Sequence, residues 1–339
     1  MMTPTDPHAI IEIGGSRYDS AEHKQLLMSL SVELTTNEAS EATWQVFDPK
    51  FVFIDKISGA DGVQMLPLRI WMGFGQDLGE PVFKGLLAGV ERGSETTTLR
   101  AYDMGLKMRL KKRTQYHNRA TDVEIIKKLA ERNGLKFVGP AAAFGTRHSS
   151  VTQDARTDWE YAAELAAEAG LVLYVRGDTL FAVEPARVGT PKLTLSYKKD
   201  FSIFHNFGLT YSLPEGIEGK KETEVRGRGR GGRRLSGRAG AGGRGHESVE
   251  IKRDIKGATR TVAERRARAR RDLEREHAFT ASIETLPALN GVRPDVRDTV
   301  KLDGMGKLFS GLYLCDKVAY SLGPKSFITS FELYRDAKD

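Results

Sequence analysis

The feature that most constrains this chain is an internal repeat. Thr121-Asp122-Val123-Glu124-Ile125-Ile126-Lys127-Lys128-Leu129-Ala130 returns 36 positions later as Thr157-Asp158-Trp159-Glu160-Tyr161-Ala162-Ala163-Glu164-Leu165-Ala166. Each copy opens with Thr-x-x-Glu, in which the hydroxyl and the carboxylate satisfy a helix's first free N–H groups. Each then places apolar residues at helical spacing: Val123, Ile126, Leu129 and Ala130, then Trp159, Ala162, Leu165 and Ala166. Each stops at a glycine, Gly134 or Gly170, as a left-handed cap requires. Each passes into an apolar, strand-like segment, and Gly177-Asp178 signals a hairpin between Val172–Arg176 and Thr179–Val183. The spacing predicts a small α/β unit over 116–191.

A second, looser repeat links the two ends. Leu68–Gly73, Val82–Val90 and Thr98–Asp103 match Thr299–Leu302, Leu308–Leu314 and Ser330–Asp336 in the order strand, Gly turn, Phe-x-Gly strand, loop, strand. Alternation with glycine turns is the pattern of small antiparallel barrels, and a glycine after Phe marks a bend or bulge. The expected fold class is α+β, with two duplicated small antiparallel β-barrels flanking the α/β insert. The first, tube-like barrel would span 1–115 and the second 192–339. At 339 residues, two or three domains is the ordinary expectation.

Charge is unevenly placed. Between Val225 and His246 lie Arg226, Arg228, Arg230, Arg233, Arg234, Arg238 and Arg244, with nine glycines and no acid. Those seven arginines equal the whole net charge of +7, so the rest of the chain sums to neutral. Leu235 is the one sizeable aliphatic residue there, so the segment reads as a flexible arm within the second barrel, over 225–246. The seven arginines are the candidate contact to a partner or polyanion. No aromatic is interleaved for base stacking. A charged helix near 258–277 follows, capped by Thr259, with Val262, Ala269 and Leu273 on its less charged side.

Motifs for catalysis are missing. The seven histidines show no metal-ligand spacing, and His-Glu-x-x-His, Gly-x-Ser-x-Gly and phosphate-loop patterns do not occur. Gly-Arg-Gly-Arg-Gly-Gly at 227–232 lacks the strand before and the helix after that a dinucleotide fingerprint needs. Asp122, Glu124, Asp158 and Glu160 read as helix caps, not as an acid/base pair. Trp44, Trp71 and Trp159 read as core, and Cys315, the one cysteine, as a small buried hydrophobe. No enzyme, cofactor or metal is expected. No apolar run is long enough to cross a bilayer, so no stable membrane insertion is expected, and the N-terminus shows no signal peptide.

These motifs in this order resemble the bacteriophage late control gene D proteins, baseplate hub proteins related to the N-terminal part of the type VI secretion spike protein. The resemblance rests on Lys111-Lys112-Arg113-Thr114-Gln115-Tyr116-His117-Asn118-Arg119-Ala120-Thr121-Asp122, on Thr157-Asp158-Trp159-Glu160-Tyr161, and on Glu168-Ala169-Gly170. Gly311-Leu312-Tyr313 and Phe331-Glu332-Leu333-Tyr334-Arg335 look like the family's last strands. It implies a homotrimer whose two barrels per chain make a ring of six similar units, joining a sixfold tail tube to a threefold spike. It implies a tail tube protein and a separate central spike protein as partners, since the chain ends at Asp339. Tape measure and baseplate wedge proteins are further contacts, and transient contact with DNA is left open. The implied location is the virion tail baseplate, after synthesis in the host cytoplasm. The Arg/Gly arm departs from the family pattern. Competing readings are a nucleic-acid-binding protein acting through the arm, a cell-wall hydrolase and a sugar-binding adaptor. The hydrolase lacks a general acid in a convincing setting, and the adaptor lacks an aromatic platform.

Overall fold

A computed structural model describes residues 7–22, 27–36, 38–50, 52–57, 65–75, 78–142, 144–184, 188–197, 204–211, 222–228, 234–239, 248–256, 278–286, 293–324 and 326–335, with backbone alone over 222–256. The fold is α+β, dominated by antiparallel strands.

The N-terminal strands are β1 (Pro7–Ile13), β2 (Ser16–Asp19), β3 (Ser29–Thr35) and β4 (Glu41–Phe47), then helix α1 (Val52–Ile57), β5 (Pro67–Phe74), β6 (Phe83–Arg92) and β7 (Thr96–Asp103). Alternation governs them: Ala42, Trp44 and Val46 of β4 point into the core. Asp48 is buried and accepts from the Phe53 and Ile54 N–H groups at 3.0 and 3.2 Å, which fixes the start of α1. Phe53 then meets Trp44 and Tyr18 edge-on at 5.1 and 5.3 Å.

The middle contains α2 (Leu106–Leu110), β8 (Lys112–Thr121), α3 (Asp122–Arg132), β9 (Lys136–Val138), β10 (Arg147–Thr157), α4 (Asp158–Ala169), β11 (Val172–Arg176) and β12 (Thr179–Val183). Both expected capping boxes are present, from Thr121 with Glu124 and from Thr157 with Glu160. Gly134 and Gly170 take left-handed backbone at φ of 79° and 73°. The β11–β12 hairpin is the expected one. Strands β8 and β10 form an antiparallel ribbon in which Thr121 faces Arg147 and Thr157 faces Lys112. Each strand therefore runs straight into its own helix, and the unit has an internal pseudo-twofold relation. Its core holds the predicted apolar faces together with Ile125, Tyr161, Leu173 and Leu180.

The C-terminal part contains β13 (Leu193–Ser196), β14 (Phe204–Tyr211), β15 (Glu222–Arg228), β16 (Arg234–Ala239), β17 (Ser248–Lys256), β18 (Phe279–Thr285), β19 (Thr299–Asp303), α5 (Gly306–Phe309), β20 (Gly311–Leu322) and β21 (Phe327–Arg335). The long strand β20 pairs with β19 through Gly311–Leu314 and with β3 through Lys317–Leu322. That second pairing joins the two ends of the chain in one sheet and one hydrophobic core. Within the sheet the N-terminal strands lie in the order β3-β4-β7-β6-β5-β1, and the C-terminal strands in the order β14-β18-β21-β20-β19-β13. Matched by position in the chain, the two orders are the same. They differ in one pairing: β1 runs antiparallel to β5, whereas β13 runs parallel to β19. Among the described residues the strand path is open, ending at β14 and β2.

Several expectations change. Leu308 and Phe309 belong to the short helix α5, not to a strand. Gly85 follows Phe83 not at a bulge but where a Cβ would strike the Tyr102 carbonyl and the Phe83 ring; the irregularity in β6 falls between Leu87 and Gly89. Trp44 and Trp159 are buried, whereas Trp71 is half-buried. The Arg/Gly segment is not a structureless arm throughout: β15, β16 and β17 form a sheet of their own, inserted between β14 and β18. The expected helix near 258–277 lies outside the described residues.

Candidate functional site

Two regions carry charge chemistry that the strand framework does not itself need. The first is the joint where the middle unit meets both ends of the chain. Asp103, at the end of β7, is 3% exposed and accepts from the Ser40 and Gly105 N–H groups, both at 2.8 Å, and from Arg109 Nη1 at 3.1 Å. The Arg109 guanidinium lies over the Trp159 ring, 3.7 Å from its centre, and so ties β7 to α4. Burial holds the Asp103 carboxyl above its ordinary range despite Arg109, and burial lowers the Arg109 guanidinium. On the other side, Arg176 Nε pairs with Asp295 at 2.7 Å and Lys192 Nζ with Asp298 at 2.7 Å. Arg293 Nη1 donates to the Leu78 carbonyl at 2.7 Å. A cleft of ≈ 770 Å³ opens between these groups. Asp103, Asp295 and Asp298 are each matched with a base, so the arrangement fastens three parts of the fold together.

Cys315 fits the same picture. It is fully buried, and burial with Asp298 and Asp295 nearby pushes its thiol up, away from the reactive thiolate. Among the described residues no group of three His, Cys, Asp or Glu side chains comes together as a metal site would require. No helix among them is long and apolar enough to cross a membrane.

The second region is the Arg/Gly segment. Arg226 and Arg228 lie on β15, and Arg234 and Arg238 on β16; Arg230, Arg233 and Arg244 fall outside the described residues. The register puts Arg234, Arg228 and Lys256 in one row across the three strands, and Arg226 beside Lys252 in the next.

The sequence reading missed two buried carboxylates. Glu124 and Glu160 are the caps, but Asp122 and Asp158 are buried anchors, 0% and 1% exposed. Asp158 accepts from Arg132 Nε at 2.6 Å, Asn133 Nδ2 at 2.8 Å and Gln153 Nε2 at 2.9 Å. Burial works to raise its carboxyl, and these hydrogen bonds outweigh it and hold the group below its ordinary value. Asp122 accepts from the Thr146 N–H at 2.6 Å and faces His148 Nε2 at 2.6 Å. The available signal was the aspartate that directly follows the capping threonine in both copies.

No curated protein sequence matches the chain. Residues 11–206 match the family model described as the Alg8 N-terminal domain. The chain belongs to the Alg8 N-terminal domain family. This Alg8-family chain is similar in fold to the tail protein from Neisseria meningitidis MC58, at 13% identity, with 97% of each chain covered and a TM-score of 0.71. It is similar to the 43 kDa tail protein of prophage MuSo2 from Shewanella oneidensis, at 12% identity, covering 97% of this chain and 98% of that one, with a TM-score of 0.68. It is also similar to the E. coli c3393 protein, described as a component of the type VI secretion system with structural similarity to bacteriophage T4 tail proteins. That match is 12% identical, covers 97% of this chain and 75% of that one, and has a TM-score of 0.60. The Alg8-family fold here is thus that of phage tail and type VI secretion proteins, the group to which the resemblance in the sequence points.

Proposed function

We propose that the chain is a structural, non-enzymatic hub of a contractile phage tail or tail-like injection machine. It forms a homotrimer that joins a sixfold tail tube to a threefold central spike. The observation that carries this reading is the shared fold along nearly the full length of two tail proteins, 97% and 98% of their chains. The repeated strand order supports it as well. Two six-strand groups of the same order, β3-β4-β7-β6-β5-β1 and β14-β18-β21-β20-β19-β13, are what a duplicated barrel pair would contain. Three copies would then present six near-equivalent units to a tube and a threefold face to a spike, with no new type of surface. Tube, separate spike, tape measure and wedge proteins are the partners of this reading, and the virion baseplate its location. The seven arginines, Arg226 to Arg244, contact an acidic partner surface, a reading supported by their charge in a stretch that holds no acid.

The test is absolute mass by light scattering after nuclease treatment, followed by imaging. Three times the 37.5 kDa chain, about 112 kDa, is expected, with rings of six units in projection. A monomer both alone and with tube or spike protein added would overturn the hub reading.

A further inference from the structure

The arm is not the only basic part of the molecule. Residues 106–157 carry twelve Lys and Arg against four Asp and Glu, a net +8. The stretch from Leu106 to Thr121 holds six cations and no acid. The fold collects much of this charge on the β8–β10 ribbon. Lys111, Lys112 and Arg113 sit at one end, with Arg113 directly opposite Arg156. Arg119 and Arg147 sit at the other, where Arg147 faces Thr121. All five are exposed, and none has an ion-pair partner among the described residues, whereas Arg109, Arg132 and Arg156 nearby are each paired with an acid. The ring of Tyr116 lies between the two ends and is 69% exposed. It shares the face turned away from buried His117 and Gln153 with Asn118, Ser150 and Thr152. Asp154 is the one acid on the ribbon, and Glu160 lies beside Lys112.

We propose that this ribbon binds a single strand of nucleic acid, its cations holding the phosphodiester backbone and Tyr116 stacking on a base. The composition selects this class of partner. Protein interfaces are depleted of lysine and centre on apolar residues. On the described ribbon Tyr116 is the one large exposed apolar side chain, and most of the other exposed residues are Lys, Arg, Asn, Gln, Ser and Thr, side chains that meet phosphate. An exposed aromatic among cations is the arrangement that stacks unpaired bases. The ribbon spans about 30 Å between its charged ends at ~3.4 Å per residue, enough to follow several nucleotides. This site is separate from the arginines of the arm and does not depend on the hub reading.

The experiment uses the full chain, freed of nucleic acid, with a labelled oligothymidylate of about 20 nucleotides followed by fluorescence anisotropy. Binding is expected to weaken steeply between about 50 and 200 mM salt. Replacing three cations together (Lys111→Ala, Lys112→Ala, Arg113→Ala) is expected to weaken it at least ~10-fold and to flatten the log–log salt slope by roughly 2. These residues are exposed, and an unchanged melting curve shows that the variant is folded. Tyr116→Ala is expected to weaken the single strand more than a duplex of the same length. A second variant, with the seven arm arginines changed to serine, is expected to keep the part of the binding that the ribbon variant loses. The proposal fails if the ribbon variant binds as tightly as the parent, or if the arm variant alone abolishes binding. It also fails if polyglutamate of equal charge competes as well as the oligonucleotide, which would make the face a dock for acidic protein.

Discussion

The two copies of the helix unit share their caps and their terminal glycines but differ in what holds the first helical aspartate. In the second copy Asp158 is gripped by Arg132, Asn133 and Gln153, three residues from the first copy and the ribbon. In the first copy Asp122 is held by a backbone N–H and by His148. Their surroundings diverge too. Helix α4 packs against α2, α3, β10 and β11, whereas α3 packs against α4, β8 and β9 and turns Lys127, Lys128 and Glu131 to solvent. The local code for a capped helix was duplicated and kept, while the partners that decide how firmly each helix is seated were changed.

Removing either grip measures that difference. Asp158→Ala leaves Arg132 without its buried partner, and loss of one member of a buried pair costs about 3–5 kcal/mol. Arg132 keeps some solvent contact, so a value of ~3 kcal/mol by denaturant unfolding is expected. Asp122→Ala strands one backbone donor and one imidazole, and about 1–3 kcal/mol is expected. Equal costs at the two sites would mean that the asymmetry of partners carries no energetic weight. Smaller effects test what the copies share. Thr121→Ala and Thr157→Ala each remove a capping hydroxyl, and each is expected to cost about 1 kcal/mol, Thr121→Ala somewhat more because its hydroxyl also donates to the Ala142 carbonyl.

The pair His117 and Gln153, also 36 positions apart, sharpens the comparison through pH. Both are buried, and His117 Nε2 has no hydrogen-bond partner among the described residues. Burial, aided by Arg132, holds this imidazole below its ordinary value. As pH falls the unfolded chain therefore takes up the proton first, and stability is lost below about pH 6.5. Above that pH the group is neutral in both states and contributes nothing to the slope. His117→Gln installs the other copy's residue, and its melting temperature is expected to fall less than the parent's between about pH 7 and 5. Parallel curves would show that His117 is protonated as easily in the fold as outside it.

What could be read from the chain and what could not divides by sequence distance. Caps, glycine stops and the β11–β12 hairpin act within a few residues, so Thr121, Thr157, Gly170 and Gly177 announced them. Except for Gln153, five residues before Asp158, the partners of Asp122 and Asp158 stand 24 to 26 residues away and follow no period, so these carboxylates looked like caps. The β3–β20 pairing brings Thr36 and Asp316 into hydrogen-bond contact across 280 residues, and no local pattern encodes it. Leu308 and Phe309 show the converse error, since a short apolar run fits a strand or a helical turn equally. The Arg/Gly segment misled in a third way. Its composition rules out a core, but β15–β17 pair through backbone groups that arginine and glycine also possess. The ribbon's charge was hidden by the arm, whose seven arginines equalled the net charge and made the remainder look neutral.

The finest test concerns how far the duplication reaches. Arg119 and Ala155, again 36 apart, both take left-handed backbone, at φ of 51° and 47°, two residues before the capping threonines. A side chain in that region costs about 1–2 kcal/mol, and glycine gives back roughly 0.5–1 kcal/mol of chain entropy. Ala155→Gly is therefore expected to stabilise the protein by ~0.5 kcal/mol, because Ala155 is exposed and its methyl is outside the hydrophobic core. Arg119→Gly should gain as much in stability, while weakening any nucleic-acid contact that uses the guanidinium. Matching gains would mean that both strands store the same kink for the same purpose, turning a flat ribbon edge into the start of a helix. The duplicated unit would then be strand, kink and helix together, with its boundary well upstream of the repeat visible in the residues. A loss at Ala155 would mean that its backbone is held by the Arg156–Glu164 pair beyond it, and that the resemblance of the two kinks is convergence of geometry on a bulged ribbon.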